Sequence, residues 1–163
     1  MNVENLMTHE IEACNPDDSL TDAAMIMWRR DCGIVPVVKP DTHEVAGVIT
    51  DRDICMAAAT RHMTTDDLYV RDVMTRDGVT TVTPEESVST AVQRMAEAQV
   101  RRIPVTNRSG ALVGMISLND IVLAAEKTNR GTEGMPTYAD TVDALKAVCA
   151  HRTVEPRREM AAG

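Results

Sequence analysis

GVITDRDI, Gly47 to Ile54, and GMISLNDI, Gly114 to Ile121, carry one local pattern twice. In each, an apolar strand pattern gives way to an apolar helical one, and a hydroxyl, Thr50 or Ser117, stands at the corner. That hydroxyl is a natural N-cap, able to accept from a free N–H of the first helical turn. A carboxylate, Asp53 or Asp120, follows three residues on. The spacing is nearly that of a capping box, but the box calls for Glu or Gln, and Asp has a shorter reach. Capping therefore accounts for the hydroxyls better than for the acids.

Outward from these corners the likeness continues. A shift of about 67 positions lays Met7-Thr8 on Met74-Thr75, Pro16 on Pro84, Ser19 on Ser87, Pro36-Val37 on Pro104-Val105 and Gly47 on Gly114. The chain is an internal duplication. NPDDSLTDAAMIMWRRDCG places Leu20, Ala23, Ala24 and Met27 at helical spacing, with Gly33 ending the run, and the second copy repeats the stripe as Val88, Ala91, Val92 and Met95. GIVPVV with EVAGVIT, and RRIPVT with ALVGMIS, then read as two hairpins. Pro36 and Pro104 lie inside strands and require an edge or a bulge there, leaving one strand edge open in each copy.

A second helix follows in each copy, from Asp51 to about Thr60 and from Leu118 to about Lys127, and a first strand is expected at Glu10 to Cys14 and at Val79 to Thr83. The expected fold class is α+β, two β-α-β-β-α units plus a short C-terminal helix. The expected division is a first unit at 1–62, a linker at 63–69, a second unit at 70–128 and a tail at 129–163. Within the tail, residues 138–150 form an amphipathic helix, packed on the body or used by a dimer mate, and TVEPRREMAAG reads as disordered.

The 163 residues are 44% hydrophobic and 26% charged, a composition for one globular domain or two small units sharing a core. No apolar run reaches a membrane span and MNVENLMTHE has no signal-peptide pattern, so no membrane partner and a cytoplasmic address are expected. A net charge of −8 argues against a nucleic-acid partner. With Trp28, Tyr69 and Tyr138 as the whole aromatic set, base-stacking platforms are not expected either. Cys14, Cys32, Cys55 and Cys149 form no CxxC pair and stand away from the four His, so they read as reduced, mostly buried thiols with no metal site; a disulfide from Cys14 to Cys55 or Cys32 stays open. A nucleophile with its base, a metal cluster and a Walker or Rossmann glycine loop are all missing, so the chain is not expected to be an enzyme and the catalytic set is empty.

The ordered set, MT at each start, P and S opening the first helix, PVV or PVT in the hairpin and GxIT or GxIS with a following Asp, resembles a tandem CBS-domain protein, or Bateman module, of the stand-alone type, over about Val3 to Ala125. The resemblance implies two units packed with pseudo-two-fold symmetry, assembled as disc-shaped homodimers. It implies adenosyl ligands, AMP, ADP, ATP or S-adenosylmethionine, in clefts between the sheets, with no obligatory cofactor. Asp53 and Asp120 then take ribose hydroxyls, and Thr50 and Ser117 take phosphate or ribose. The backbone of Ile34, Val35, Pro36 and Val37, of Ile103, Pro104 and Val105, and near Cys14 and Val82 sandwiches adenine. The residue chemistry agrees: a helix N-terminus and hydroxyl suit a phosphate, and an all-acceptor carboxylate suits two ribose hydroxyls.

The two clefts are not expected to be equal. Arg101-Arg102 in the second copy replaces Gly33-Ile34 in the first. Strand alternation sends one arginine inward and the other to solvent, where an inward guanidinium grips phosphate bidentately and favours the Ser117/Asp120 site; a solvated pair at the strand edge is the other reading. Two functions remain open: a nucleotide-sensing regulator that signals to a separate, unidentified partner protein, and an architectural dimer whose hydroxyl and acid pairs only cap helices.

Overall fold

The duplicated pattern folds into two matching halves. The computed structural model describes residues 1–125 and 136–150. The first copy forms α1 (Leu20–Arg30), β1 (Ile34–Val38), β2 (Val45–Thr50) and α2 (Asp51–Arg61), and the second α3 (Val88–Ala98), β3 (Arg102–Thr106), β4 (Leu112–Ser117) and α4 (Leu118–Ala124). The C-terminal helix is α5 (Tyr138–Cys149), packed on α3 and α4. The fold is α+β with two small antiparallel sheets in the same register: Ile34 faces Thr50 as Arg102 faces Ser117, with an irregularity after Val37 and after Val105.

The helices obey the stripes that the sequence carries. α1 starts at Ser19, whose hydroxyl accepts from the Asp22 N–H, and buries Leu20, Ala23, Ile26 and Met27. α3 buries Val88, Ala91 and Met95. Fully burying such a side chain contributes about 1.5–3 kcal/mol. Gly33 does not end α1; Asp31 does, at φ 48°, in the left-handed conformation that short polar side chains tolerate. α4 stops at Ala124, short of Lys127, which lies outside the described residues, as do NRGTEGM and TVEPRREMAAG.

The expected first strands are reduced to one residue each. Cys14 bridges Val37 and Val82 bridges Val105, both in parallel. The Cys14 N–H donates to the Pro36 carbonyl at 3.1 Å and the Cys14 carbonyl accepts from the Val38 N–H at 2.9 Å, and Val82 does the same between Pro104 and Thr106. The edge that each proline weakens is thus covered at one point. A proline has no N–H to carry a longer ladder, which is why the pairing stops there.

The two cores cross over. Val3 and Met7, from the start of the chain, join the cluster of Val82, Val88, Met95, Ile103, Ile116 and Ile121, while Leu68 and Val70 join that of Cys14, Leu20, Val35, Ile49 and Ile54. Thr8 pairs with Met115 on β4, and Thr75 pairs with Val48 on β2. Gly47 and Gly114 make these approaches possible: a Cβ at Gly47 would stand 2.7 Å from the Thr75 carbonyl oxygen, and one at Gly114 2.7 Å from that of Thr8. The hairpin tips also meet, Glu44 bridging Ala111. Among the described residues no helix is long and apolar enough to cross a membrane.

Candidate functional site

Both corners are complete capping boxes. The Thr50 hydroxyl and N–H donate to Asp53 Oδ2 at 2.7 and 3.0 Å, and the Asp53 N–H donates to Thr50 Oγ1 at 3.2 Å. Ser117 and Asp120 repeat this at 2.6, 2.8 and 3.2 Å. The expectation that Asp is too short for the box is corrected: the extended backbone at the N-cap, ψ 161° at Thr50 and 159° at Ser117, turns the N-cap N–H toward the acid. The same box recurs at Ser19 with Asp22 and at Thr137 with Asp140, where the hydroxyl, then the backbone N–H, holds the acid below its ordinary pKa. Each box engages Oδ2 alone, so Oδ1 keeps its lone pairs.

The Ser117 corner opens on a cavity of about 350 Å³ between the units. Ser117 and Asp120 border it from the second unit with Arg102 and Met115, Ile34 and Pro36 from β1, and Thr8, Glu10, Ile11 and Glu12 from the N-terminal segment. Ile26, Arg30 and Cys32 complete the wall. The volume falls in the range of small-molecule sites. Its apolar side, Ile11, Ile26, Ile34, Pro36 and Met115, suits a flat ring, and its polar side holds Asp120, Ser117 and two guanidiniums. Arg30 donates to Glu12 at 2.9 Å and Arg29 at 2.5 Å, in that order holding Glu12 below the ordinary carboxylate range. Arg102 forms no ion pair among the described residues.

The Thr50 corner borders a different cavity, about 570 Å³, with Gly33, Ile34, Asp51, Gln99, Val100, Arg101, Arg102, Val148 and Cys149. Asp53 is not in its wall. Arg101 is exposed, while Arg102 is half-buried at the head of β3 and borders both cavities. The side chains of Val35, Val37, Ile103 and Val105 are fully buried in the two cores and Pro104 is buried too, so these positions can offer a ligand backbone only. Cys14 and Val82 are each 1% exposed at the parallel bridges. Burial, then the Asp18 charge, pushes the Cys14 thiol up to about 12.

Only Cys14 is buried; Cys32 is half-buried and Cys55 and Cys149 are exposed, which corrects the expectation of mostly buried thiols, and all four are free. Thr8, Ile11, Glu12 and Arg30 were not among the expected site residues. The repeat of MT at Met7 and Met74 marked the segment as conserved between the copies, but its crossing to the opposite unit depends on tertiary pairing that spacing does not encode. Among the described residues no cluster of His, Cys, Asp or Glu is placed to hold a metal ion.

The CBS-domain family model matches residues 3–60 and 70–127. The chain is 33% identical over 138 residues to the Bacillus subtilis protein YlbB, covering 85% of this chain and 91% of that one. It is 35% identical over 119 residues to the mitochondrial CBS domain-containing protein CBSX3 of Arabidopsis thaliana, covering 72% of this chain and 57% of the relative. Among solved structures, the CBS domain pair of protein MJ0100, in complex with 5-methylthioadenosine and S-adenosyl-L-methionine, superposes with a TM-score of 0.67 at 23% identity, covering 76% of this chain and 98% of that one.

Proposed function

The chain belongs to the CBS-domain family, two CBS units in tandem, and from that premise we propose that it is a regulatory sensor of an adenosyl ligand, AMP, ADP, ATP or S-adenosylmethionine, held between the units. The observation that carries this reading is the convergence of Asp120, Ser117 and Arg102 with Ile34 and Pro36 on one cavity of about 350 Å³. The adenine lies against Ile34 and Pro36, Asp120 Oδ1 accepts from a ribose hydroxyl, and Arg102 meets a phosphate or carboxylate. The ligands of the MJ0100 pair support the adenosyl class. Sensing needs no catalytic residue, and we assign none.

In this reading the chain works as a homodimer in the cytoplasm and signals to a separate partner. Two exposed, free thiols, Cys55 and Cys149, suit a reducing compartment. The dimer face is that of α1 and α2, where Trp28 is 83% exposed and Met25 and Met56 are exposed too. On the second unit α5 packs on α3 and α4, and Leu123, the counterpart of Met56, stays 86% exposed.

One observation favours a purely architectural module: boxes at Ser19 and Thr137 cap helices with the same residue types. Mass spectrometry of small molecules released from the gently denatured, freshly purified protein separates the two readings. A stoichiometric adenosyl compound supports the sensor, and a protein purified without one that also ignores added adenosyl ligands supports the architectural module.

A further inference from the structure

The Thr50 cavity is walled differently from the Ser117 cavity, and the following inference rests on the adenosyl reading of the latter and extends it to the former. α3 ends at Gln99 with φ 52°, in the left-handed conformation. From there its side-chain amide donates to two carbonyls at the end of α5, Ala147 at 3.4 Å and Ala150 at 3.0 Å. The last carbonyls of a helix lack the regular partner four residues on, so the clasp adds to the 3.4 Å bond that Ala147 accepts from the Ala150 N–H and supplies a donor to Ala150 itself. On the inner side of α5, Ala144 is 3% exposed in the second core and Val148 packs against that core. An amide and apolar packing together fix the tip of α5.

That tip borders the Thr50 cavity. Gln99, Val148 and Cys149 share its wall with Thr50, Arg101 and Arg102. Neither arginine forms an ion pair among the described residues, and Arg101 borders this space of about 570 Å³ but not the Ser117 cavity. Gln99, rather than either arginine, satisfies the α5 carbonyls, so an anion drawn to Arg101 takes nothing from the clasp. The Ser117 cavity has no such wall, because the first copy is not followed by a second α5.

We propose that the tip of α5 is one wall of an anion-binding cleft, and that a nucleotide whose phosphate is held there by Arg101 fastens the C-terminal helix to the body. A ligand touching both α5 and the two units has its full site only when α5 is seated. Its binding free energy therefore adds to that seating, and the seating adds equally to its affinity. Occupancy of the Thr50 cleft is then reported at the surface by α5, whose outer face carries the exposed Val142 and Leu145.

Cys149 in the wall is exposed and serves as the reporter; Cys55, exposed in the single chain and bordering a separate hollow with Trp28 on the proposed dimer face, serves as the reference at one fixed protein concentration. Alkylation of each cysteine by iodoacetamide is followed by mass spectrometry on the full chain, with and without ATP, alongside the melting temperature. At ATP near ten times its Kd, Cys149 labels about tenfold more slowly, the share of protein left unoccupied, while Cys55 keeps its rate and Arg101→Ala abolishes the protection. If ATP raises the melting temperature and Cys149 labels at an unchanged or faster rate, the wall is refuted and the nucleotide reading stands. If AMP, ATP and S-adenosylmethionine all leave both readouts flat, both are refuted.

Discussion

Thr8 and Met115 exchange both of their backbone hydrogen bonds, at 2.9 and 3.0 Å, which ties the start of the chain to the last strand of the second unit. The tie depends on Gly114, where a side chain would meet the Thr8 carbonyl oxygen at 2.7 Å. That oxygen is backbone, so no rotamer change relieves the clash. Gly114→Ala and Gly47→Ala are each expected to lose about 1–3 kcal/mol in urea unfolding. An unchanged midpoint in either variant would mean that the crossing segment detaches without cost.

The two corner acids separate capping from ligand contact. Asp53→Ala and Asp120→Ala each remove one capping box and lower ligand-free stability by about 1 kcal/mol, by analogy with N-cap losses. Only Asp120 stands in the wall of the 350 Å³ cavity. A hydrogen bond to a charged group is worth about 1.5–3 kcal/mol, so Asp120→Ala also loses roughly ten- to a hundredfold in adenosyl affinity. Equal affinity in the two variants would remove Asp120 from the ligand.

Acid and alkali destabilise through different groups. The Ser19 hydroxyl and N–H lower the Asp22 pKa in the folded state, and those of Thr137 lower that of Asp140. A depressed carboxylate contributes stability above its unfolded pKa of about 3.9, and this is lost as pH falls through the lower folded value. Asp22→Asn therefore flattens the acid limb of a plot of melting temperature against pH. At the other end, burial of Cys14, then the Asp18 charge, raises its pKa from 9.0 to about 12. The unfolded thiol ionises first, so this contribution is whole below pH 9 and declines toward pH 12; Cys14→Ala removes that part of the alkaline slope.

Trp28 reports its own interface. It is 83% exposed, with Met25 at 46% and Met56 at 51%, whereas the corresponding positions on α3, Gln93 and Ala96, border α5. A second copy on this face shifts the emission of the sole tryptophan to shorter wavelength as protein concentration rises, and sedimentation gives twice the monomer mass. Trp28→Ser returns the protein to monomer. A wild-type monomer at micromolar concentration would falsify the dimer.

Much of this fold was legible in the sequence because two copies report each element twice. The stripes Leu20-Ala23-Met27 and Val88-Ala91-Met95, and the hairpins around Pro36 and Pro104, fall where periodicity puts them. The first strands did not form beyond Cys14 and Val82, because β propensity at Glu10 to Cys14 cannot overcome a partner strand with a proline at its edge. Cross-pairing of Thr8 and Thr75 is a long-range contact with no local signature, and so the share of the N-terminal segment in the Ser117 cavity was invisible. The acids at Asp53 and Asp120 were visible as positions, but their hold on their own N-caps was underestimated, since side-chain reach depends on the extended N-cap backbone.

The central claim is that the cavity of Asp120, Ser117 and Arg102 binds an adenosyl ligand, and isothermal titration of AMP, ATP and S-adenosylmethionine into wild type and Asp120→Ala tests it most directly. At least one of the three binds the wild type and raises its melting temperature by about 5–10 °C at a hundred times its Kd, the thermal equivalent of about 2.7 kcal/mol for a chain of this size. The Asp120→Ala variant binds the same ligand at least about tenfold more weakly. No heat and no thermal shift in wild type with any of the three at millimolar concentration would contradict the claim.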